Sequence, residues 1–248
     1  MPTIAQPSVQ SLLIQMRFNG QLLSTGTAFV VQVASGSYLV TNRHNVTGRH
    51  QDTGEPLSNT GGIPNEIVVV HNCNGHLGQW ESRIEALYAD EVPRWLEHSV
   101  LGARADFVAL PLTQLADVAL YPYDTANTGP AISVGPADTV SVIGFPFGIT
   151  AGGAFGIWAT GFMASEADID FNDLPVLLID CRSRQGQSGS PVIAYRSAGG
   201  APMADGSQAM FGTPVWKFIG IYSGRINAES DLGIVWKASA INQLVQSL

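Results

Sequence analysis

The sequence predicts an all-β protein: two antiparallel β-barrels in tandem, followed by one short C-terminal helix. Three observations predict it. Short β-prone runs recur along the chain with glycine or polar punctuation between them. Convincing helical periodicity is absent until Ser239. A polar, irregular stretch between Leu112 and Ile132, carrying Pro122, Asn127, Gly129 and Pro130, leaves about half a dozen runs on either side. The first barrel, over residues 1–120, draws on Leu12 to Phe18, Thr27 to Val33, Tyr38 to Thr41, Ile67 to His71 and Phe107 to Leu112. The second, over residues 121–248, draws on Thr139 to Phe145, Phe155 to Met163, Val176 to Asp180, Pro191 to Tyr195, Trp216 to Tyr222 and Gly233 to Lys237. At the end Ser239 is placed to cap a helix carrying Ile241, Leu244, Val245 and Leu248 at three- and four-residue spacing, which would pack as a lid.

Composition narrows the function classes. The 248 residues are 45% hydrophobic and 13% charged, a globular balance. Twelve Lys and Arg against twenty Asp and Glu give a net charge of -8, which opposes a broad footprint on nucleic acid or anionic membrane and leaves a peptide or protein partner compatible. Met1 to Pro7 shows no basic stretch followed by an apolar run, so no secretory signal is expected and a cytoplasmic location is; no apolar stretch is long enough to span a bilayer. Cys73 and Cys181 are expected to be unpaired thiols. The acidic run Glu166 to Asp173 lacks the spacing and central glycine of an EF-hand and reads as a solvated loop. His71, Cys73 and His76 are of zinc-ligand type, yet a structural site needs four ligands and no second cluster follows, so no metal is expected. His50 and His98 are expected on the surface.

Three segments carry chemistry. Gly186-Gln187-Ser188-Gly189-Ser190-Pro191 sets a serine between glycines, a loop able to present a hydroxyl and free N–H groups together. Thr41-Asn42-Arg43-His44 closes an apolar run, leaving an imidazole at a strand end. Ala105-Asp106-Phe107-Val108 sets a carboxylate at the start of another run, where partial burial would demand donors. An α/β-hydrolase does not fit: its elbow is Gly-x-Ser-x-Gly and its serine precedes its histidine, whereas here Ser190 stands at the last glycine and the histidine comes first.

With His44, Asp106 and Ser188 in that order, each at the edge of a β-run, the chain resembles the chymotrypsin-like serine peptidases over nearly its whole length. Gly26-Thr27-Ala28-Phe29-Val30 and Ile143-Gly144-Phe145-Pro146-Phe147-Gly148 bring it nearest the bacterial trypsin-like and HtrA-type branch, without a PDZ domain. The resemblance implies two six-stranded Greek-key barrels acting as one peptidase unit and a serine endopeptidase needing no cofactor. His44 would be the base, Asp106 its orienting partner, and the N–H groups of Gly186 and Ser188 the oxyanion site. It places Arg182 at the base of the specificity pocket with Ser183 beside it, and Tyr222-Ser223-Gly224-Arg225 on the strand that pairs with substrate. Arg182 there disfavours cleavage after Lys or Arg; it and Arg225 either receive an acidic residue before the scissile bond or point to solvent. Asp180 matches an HtrA-type carboxylate or is a locally bonded strand end. Gln187 replaces the aspartate that pairs with a new N-terminus in zymogens, so activity is expected without N-terminal trimming. The reading from a different class is a pseudoprotease that binds peptides without cleaving them.

Overall fold

The β-prone runs assemble into two sheets in sequence order. A computed structural model of the chain describes residues 4–227 and 229–248. A one-turn helix α1 (Pro7–Gln10) leads into β1 (Ser11–Phe18), β2 (Gln21–Val33) and β3 (Gly36–Thr41); α2 (Arg43–Thr47), β4 (Glu66–Cys73), β5 (Trp80–Ala86), β6 (Leu96–Glu97), β7 (Val108–Pro111) and β8 (Val118–Ala119) follow. The eight strands pair in the order β8-β4-β1-β2-β3-β7-β6, with β5 on the other edge of β4.

Six strands were expected in this half; its main sheet has eight, a separate two-stranded pair of Tyr88–Ala89 and Val92–Pro93 stands beside it, and among the described residues side chains rather than a ladder join β5 to the far end of the sheet. Glu85 on β5 is 1% exposed and accepts hydrogen bonds from Thr113 N at 2.5 Å, Thr113 Oγ1 at 2.7 Å and Gln114 N at 2.9 Å, just beyond β7. Arg94 donates to Glu85 at 3.4 Å, to the Ala86 carbonyl at 2.6 Å and to the Pro111 carbonyl at 3.4 Å. A carboxylate tolerates burial only with such donors, so Glu85 acts as the clasp that curls the sheet around its core.

One face of β1, β2, β3, β4 and β7 lines that core with Leu12, Ile14, Met16, Ala28, Val30, Leu39, Ile67, Val69, Val108 and Leu110. The opposite face of β2, β3 and β7 presents Phe29, Val31, Tyr38, Val40 and Ala109 to the second half. Burial on both faces explains why these strands read as unbroken apolar runs instead of alternating.

The second half is a closed six-stranded antiparallel barrel of β9 (Thr139–Gly144), β10 (Ile157–Met163), β11 (Val176–Asp180), β12 (Pro191–Arg196), β13 (Val215–Arg225) and β14 (Leu232–Lys237), ordered β9-β10-β11-β14-β13-β12. A hairpin of Gly199–Pro202 and Gln208–Phe211, not anticipated from sequence, stands apart from it. α3 (Ala238–Gln246) follows β14 directly. Lys237 is its N-cap residue and makes no side-chain cap, so Ser239, expected there, lies inside the first turn. Ala240, Ile241 and Leu244 of α3 seal the seam cluster in which Phe29 and Phe107 from the first half meet Phe218 and Trp236 from the second. His98 is not on the surface: it is buried at 3% exposure, its Nε2 3.1 Å from Gln243 Oε1 on α3. Cys73 is half-buried and Cys181 buried, both free thiols. Among the described residues no helix is long and apolar enough to cross a membrane.

Candidate active site

The seam brings together the ends of strands from both halves. β3 ends at Thr41, and buried Asn42, in extended conformation, starts the single turn of α2. Asn42 Nδ2 donates to the Asp106 carbonyl at 2.6 Å, which ties this turn to the segment entering β7. Gly48, left-handed at φ 63°, ends the turn by donating its N–H to the His44 carbonyl at 2.9 Å. His44 is thereby fixed through its backbone at both ends.

Asp106 fixes the ring as well. Its Oδ1 accepts the His44 N–H at 3.0 Å, and its Oδ2 lies 2.7 Å from His44 Nδ1. A carboxylate only accepts, so this contact selects the tautomer with its proton on Nδ1, which leaves the lone pair on Nε2. Asp106 is 2% exposed and takes a third donor from Ser223 Oγ on β13. Sequence reasoning placed Ser223 near the site; the structure shows it joining the first half to the second through this carboxylate.

Ser188 is half-buried beside this group. Its hydroxyl donates to the Ser223 carbonyl at 3.4 Å, so Ser223 touches Ser188 with its backbone and Asp106 with its side chain. Among the described residues no hydrogen bond joins Ser188 Oγ to His44. The Ser188 carbonyl is clamped from the first half by Thr27 N at 2.9 Å and by Asn45 Nδ2 at 3.2 Å. Asn45 also donates to Thr41 Oγ1 at 2.9 Å, and Thr41 Oγ1 donates to the Thr27 carbonyl at 2.8 Å. Thr27 Oγ1 donates to the Gly186 carbonyl at 2.9 Å and accepts from Phe145 N at 3.1 Å. Thr27, Thr41 and Asn45 were not singled out from sequence. The signal was at hand in Gly26: a Cβ there would lie 2.9 Å from Asn45 Nδ2, so the glycine makes room for that side chain.

The loop glycines have specific causes. Gly186 (φ 93°) and Gly189 (φ 89°) are left-handed, and a Cβ would run into the Phe145 carbonyl at the first and the Thr27 carbonyl at the second. Gln187 is 1% exposed and holds the turn from within, its Oε1 accepting from Arg184 N at 2.7 Å. The N–H groups of Gly186 and Ser188 make no hydrogen bond among the described residues, leaving two unpaired donors in the serine loop.

The predicted specificity residues fall in different surroundings. Arg182 and Arg225 are exposed, and Gly224 is half-buried. Ser183 and Tyr222 are buried and hydrogen-bond one another through their hydroxyls. Asp180 is exposed at the end of β11. Cys181 donates its thiol to the Ala159 carbonyl at 3.3 Å, and burial pushes its pKa up to about 11, so it stays a protonated, weakly nucleophilic thiol. Among the described residues no group of three His, Cys, Asp or Glu could hold a metal ion.

The trypsin-like peptidase domain family matches residues 26–199, a span that contains His44, Asp106 and Ser188. The chain belongs to this family. Comparison with curated proteins returns no match. Among solved structures, this trypsin-like peptidase is similar to the active form of the Rv3671c protease from M. tuberculosis, at 18% identity over 97% of this chain and 81% of that one, with a TM-score of 0.51. It is similar to the serine endoprotease from Yersinia pestis at 15% identity over 100% of this chain and 67% of that one, TM-score 0.53. A thermostable serine protease, AL20, from an extremophilic microorganism matches at 13% identity over 98% and 99%, TM-score 0.54. At these identities the structural likeness shows the shared fold; the family match makes this trypsin-like peptidase a hydrolase of the serine endopeptidase class.

Proposed function

We propose that the protein hydrolyses peptide bonds in exposed, extended segments of proteins, through an acyl-enzyme formed on Ser188, with residues 1–120 and 121–248 acting as one unit. Ser188 Oγ attacks the scissile carbonyl carbon while its proton passes to His44 Nε2. Asp106 keeps the ring in the Nδ1–H tautomer and stabilises the imidazolium. The N–H groups of Gly186 and Ser188 receive the developing oxyanion. His44 then returns the proton to the leaving amine as the C–N bond breaks, and water, deprotonated by the same nitrogen, hydrolyses the ester. Side chains and backbone supply all of this chemistry.

The observation that carries the reading is the double attachment of His44 to Asp106, through backbone and ring, beside a serine loop whose glycines leave two N–H groups unused. One observation favours the alternative of a peptide-binding module without turnover: the absent hydrogen bond between Ser188 Oγ and His44. Such bonds often tighten only when substrate is bound, which is why the first reading is preferred. A fluorophosphonate probe together with an unfolded protein substrate decides between them. The proposed enzyme is labelled and cleaves, loses both in Ser188→Ala, and loses most of both in His44→Ala; folded protein that neither labels nor cleaves is the binding module.

A further inference from the structure

Ser183 lies five residues before Ser188, and Tyr222 immediately precedes Ser223, whose carbonyl accepts from the Ser188 hydroxyl, so both sit on segments that lead to the reacting group, the Tyr222 ring packed into the core of the second barrel. Both are buried, at 0% and 2% exposure, and their hydroxyls meet across the space between those elements. The ring of Tyr222 also rests on β14, where a Cβ on Gly233 would lie 2.6 Å from Tyr222 Cε2. That glycine admits the ring. Burial keeps the phenol neutral, pushing its pKa up to about 12. The backbone of Tyr222 is held too: its N–H donates to the Ser190 carbonyl at 2.8 Å and its carbonyl accepts from Gly189 N at 2.9 Å. These bonds fix the point from which the ring projects, and its packing on Gly233 and the bond to Ser183 fix its direction.

We propose that Tyr222, braced by Ser183 and Gly233, fills most of the pocket for the residue before the scissile bond, so that the enzyme cleaves after small side chains such as Gly, Ala and Ser. The proposal rests on the serine-peptidase reading above and gives it a substrate class. A side chain the size of Leu or Phe would have to displace a ring packed on one side and hydrogen-bonded at its tip, and close-packed sites resist such insertion. An acidic side chain would meet two neutral hydroxyls already bonded to each other, with Arg182 exposed; the charges of Arg225 and Arg184 reach Tyr222, so the Glu peptide in the assay below separates charge recognition from exclusion by size.

The full-length protein is assayed on peptides that differ only in the residue before the cut, with fluorophosphonate labelling in parallel. The expected wild-type kcat/KM is at least tenfold higher for Ala or Gly than for Leu, Phe or Glu. Tyr222→Ala is expected to raise the Leu and Phe values at least tenfold relative to Ala. Tyr222→Phe keeps the ring and is expected to keep the preference for small residues. Where Tyr222→Ala fails to fold, the wild type and Tyr222→Phe carry the test. A labelled wild type that cleaves after Leu, Phe or Glu as well as after Ala overturns the filled pocket alone, as does labelling with no cleavage of any peptide. Protein that neither labels nor cleaves overturns the serine-peptidase reading and this inference with it.

Discussion

At the scale of single residues, the site is organised around one buried carboxylate. Asp106 accepts from the His44 backbone, the His44 ring and the Ser223 hydroxyl, and the last of these comes from the other half of the chain. Hydrogen bonds to a charged acceptor are worth about 1.5–3 kcal/mol, enough to affect how firmly the imidazole is aimed. Ser223→Ala is therefore expected to lower kcat by roughly ten- to a hundredfold while leaving KM nearly unchanged, as steady-state kinetics on one peptide would register. A rise in KM at constant kcat would instead make Ser223 a substrate contact. Gly186, Gly189 and Ser188 were legible in the sequence because their constraints are local. Thr27 and Asn45 were not, since their importance arises from meeting the Ser188 carbonyl across about 140 to 160 residues of chain, which no local pattern encodes.

At the scale of elements, the strands visible in sequence are those buried on one or both faces. β5 escaped notice because its sequence, Trp-Glu-Ser-Arg-Ile-Glu-Ala, shows only one buried residue, and that one is Glu85. Its burial is intelligible only with Thr113, Gln114 and Arg94 around it. Glu85→Ala would strand those donors at the join of the curled sheet, at about 1–3 kcal/mol for each buried group left unpaired. Urea unfolding is expected to show a loss of about 3 kcal/mol, whereas a loss below 0.5 kcal/mol, roughly the size of a surface substitution, would remove the clasp from the account. The displaced N-terminus of α3 has a similar cause: β14 passes straight into the helix, so the strand decides where it begins and Ser239 has no cap to make.

At the scale of the whole molecule, the seam between sheet and barrel holds both the proposed catalytic group and a set of aromatic contacts, in which Phe107 packs edge-on to Trp236 at 5.5 Å and Phe29 to Phe218 at 5.4 Å. The two-part architecture was legible because the polar stretch after Leu112 divides the β-prone runs; the eight strands of the first sheet were not all so, as β6 and β8 are only two residues long and β5 carries a charged face. Global stability should depend on pH through His71, which is buried on β4 with both ring nitrogens lacking a hydrogen-bond partner among the described residues. Desolvation lowers its pKa from 6.5 to about 4, against the partly opposing charge of Glu85. Because the unfolded chain takes up the proton near pH 6.5 and the folded one resists until about pH 4, the stability present above pH 6.5 is lost as pH falls between these values. The slope is at most about 1.4 kcal/mol per pH unit. Denaturation of wild type and His71→Leu across that window should show the wild type losing stability relative to the variant as pH falls, and a constant difference would contradict a neutral buried His71.

The central claim is that Ser188, His44 and Asp106 act on one reacting centre with the Gly186 and Ser188 N–H groups behind it. A crystal structure of the protein inactivated by a small alkyl fluorophosphonate tests this most directly. The account predicts phosphorus bonded to Ser188 Oγ after loss of fluoride, one phosphoryl oxygen at about 3 Å from both N–H groups, and His44 Nε2 within hydrogen-bond reach of the adduct. An adduct on another residue, or one on Ser188 whose oxygen points away from those N–H groups while His44 stays out of reach, would contradict it.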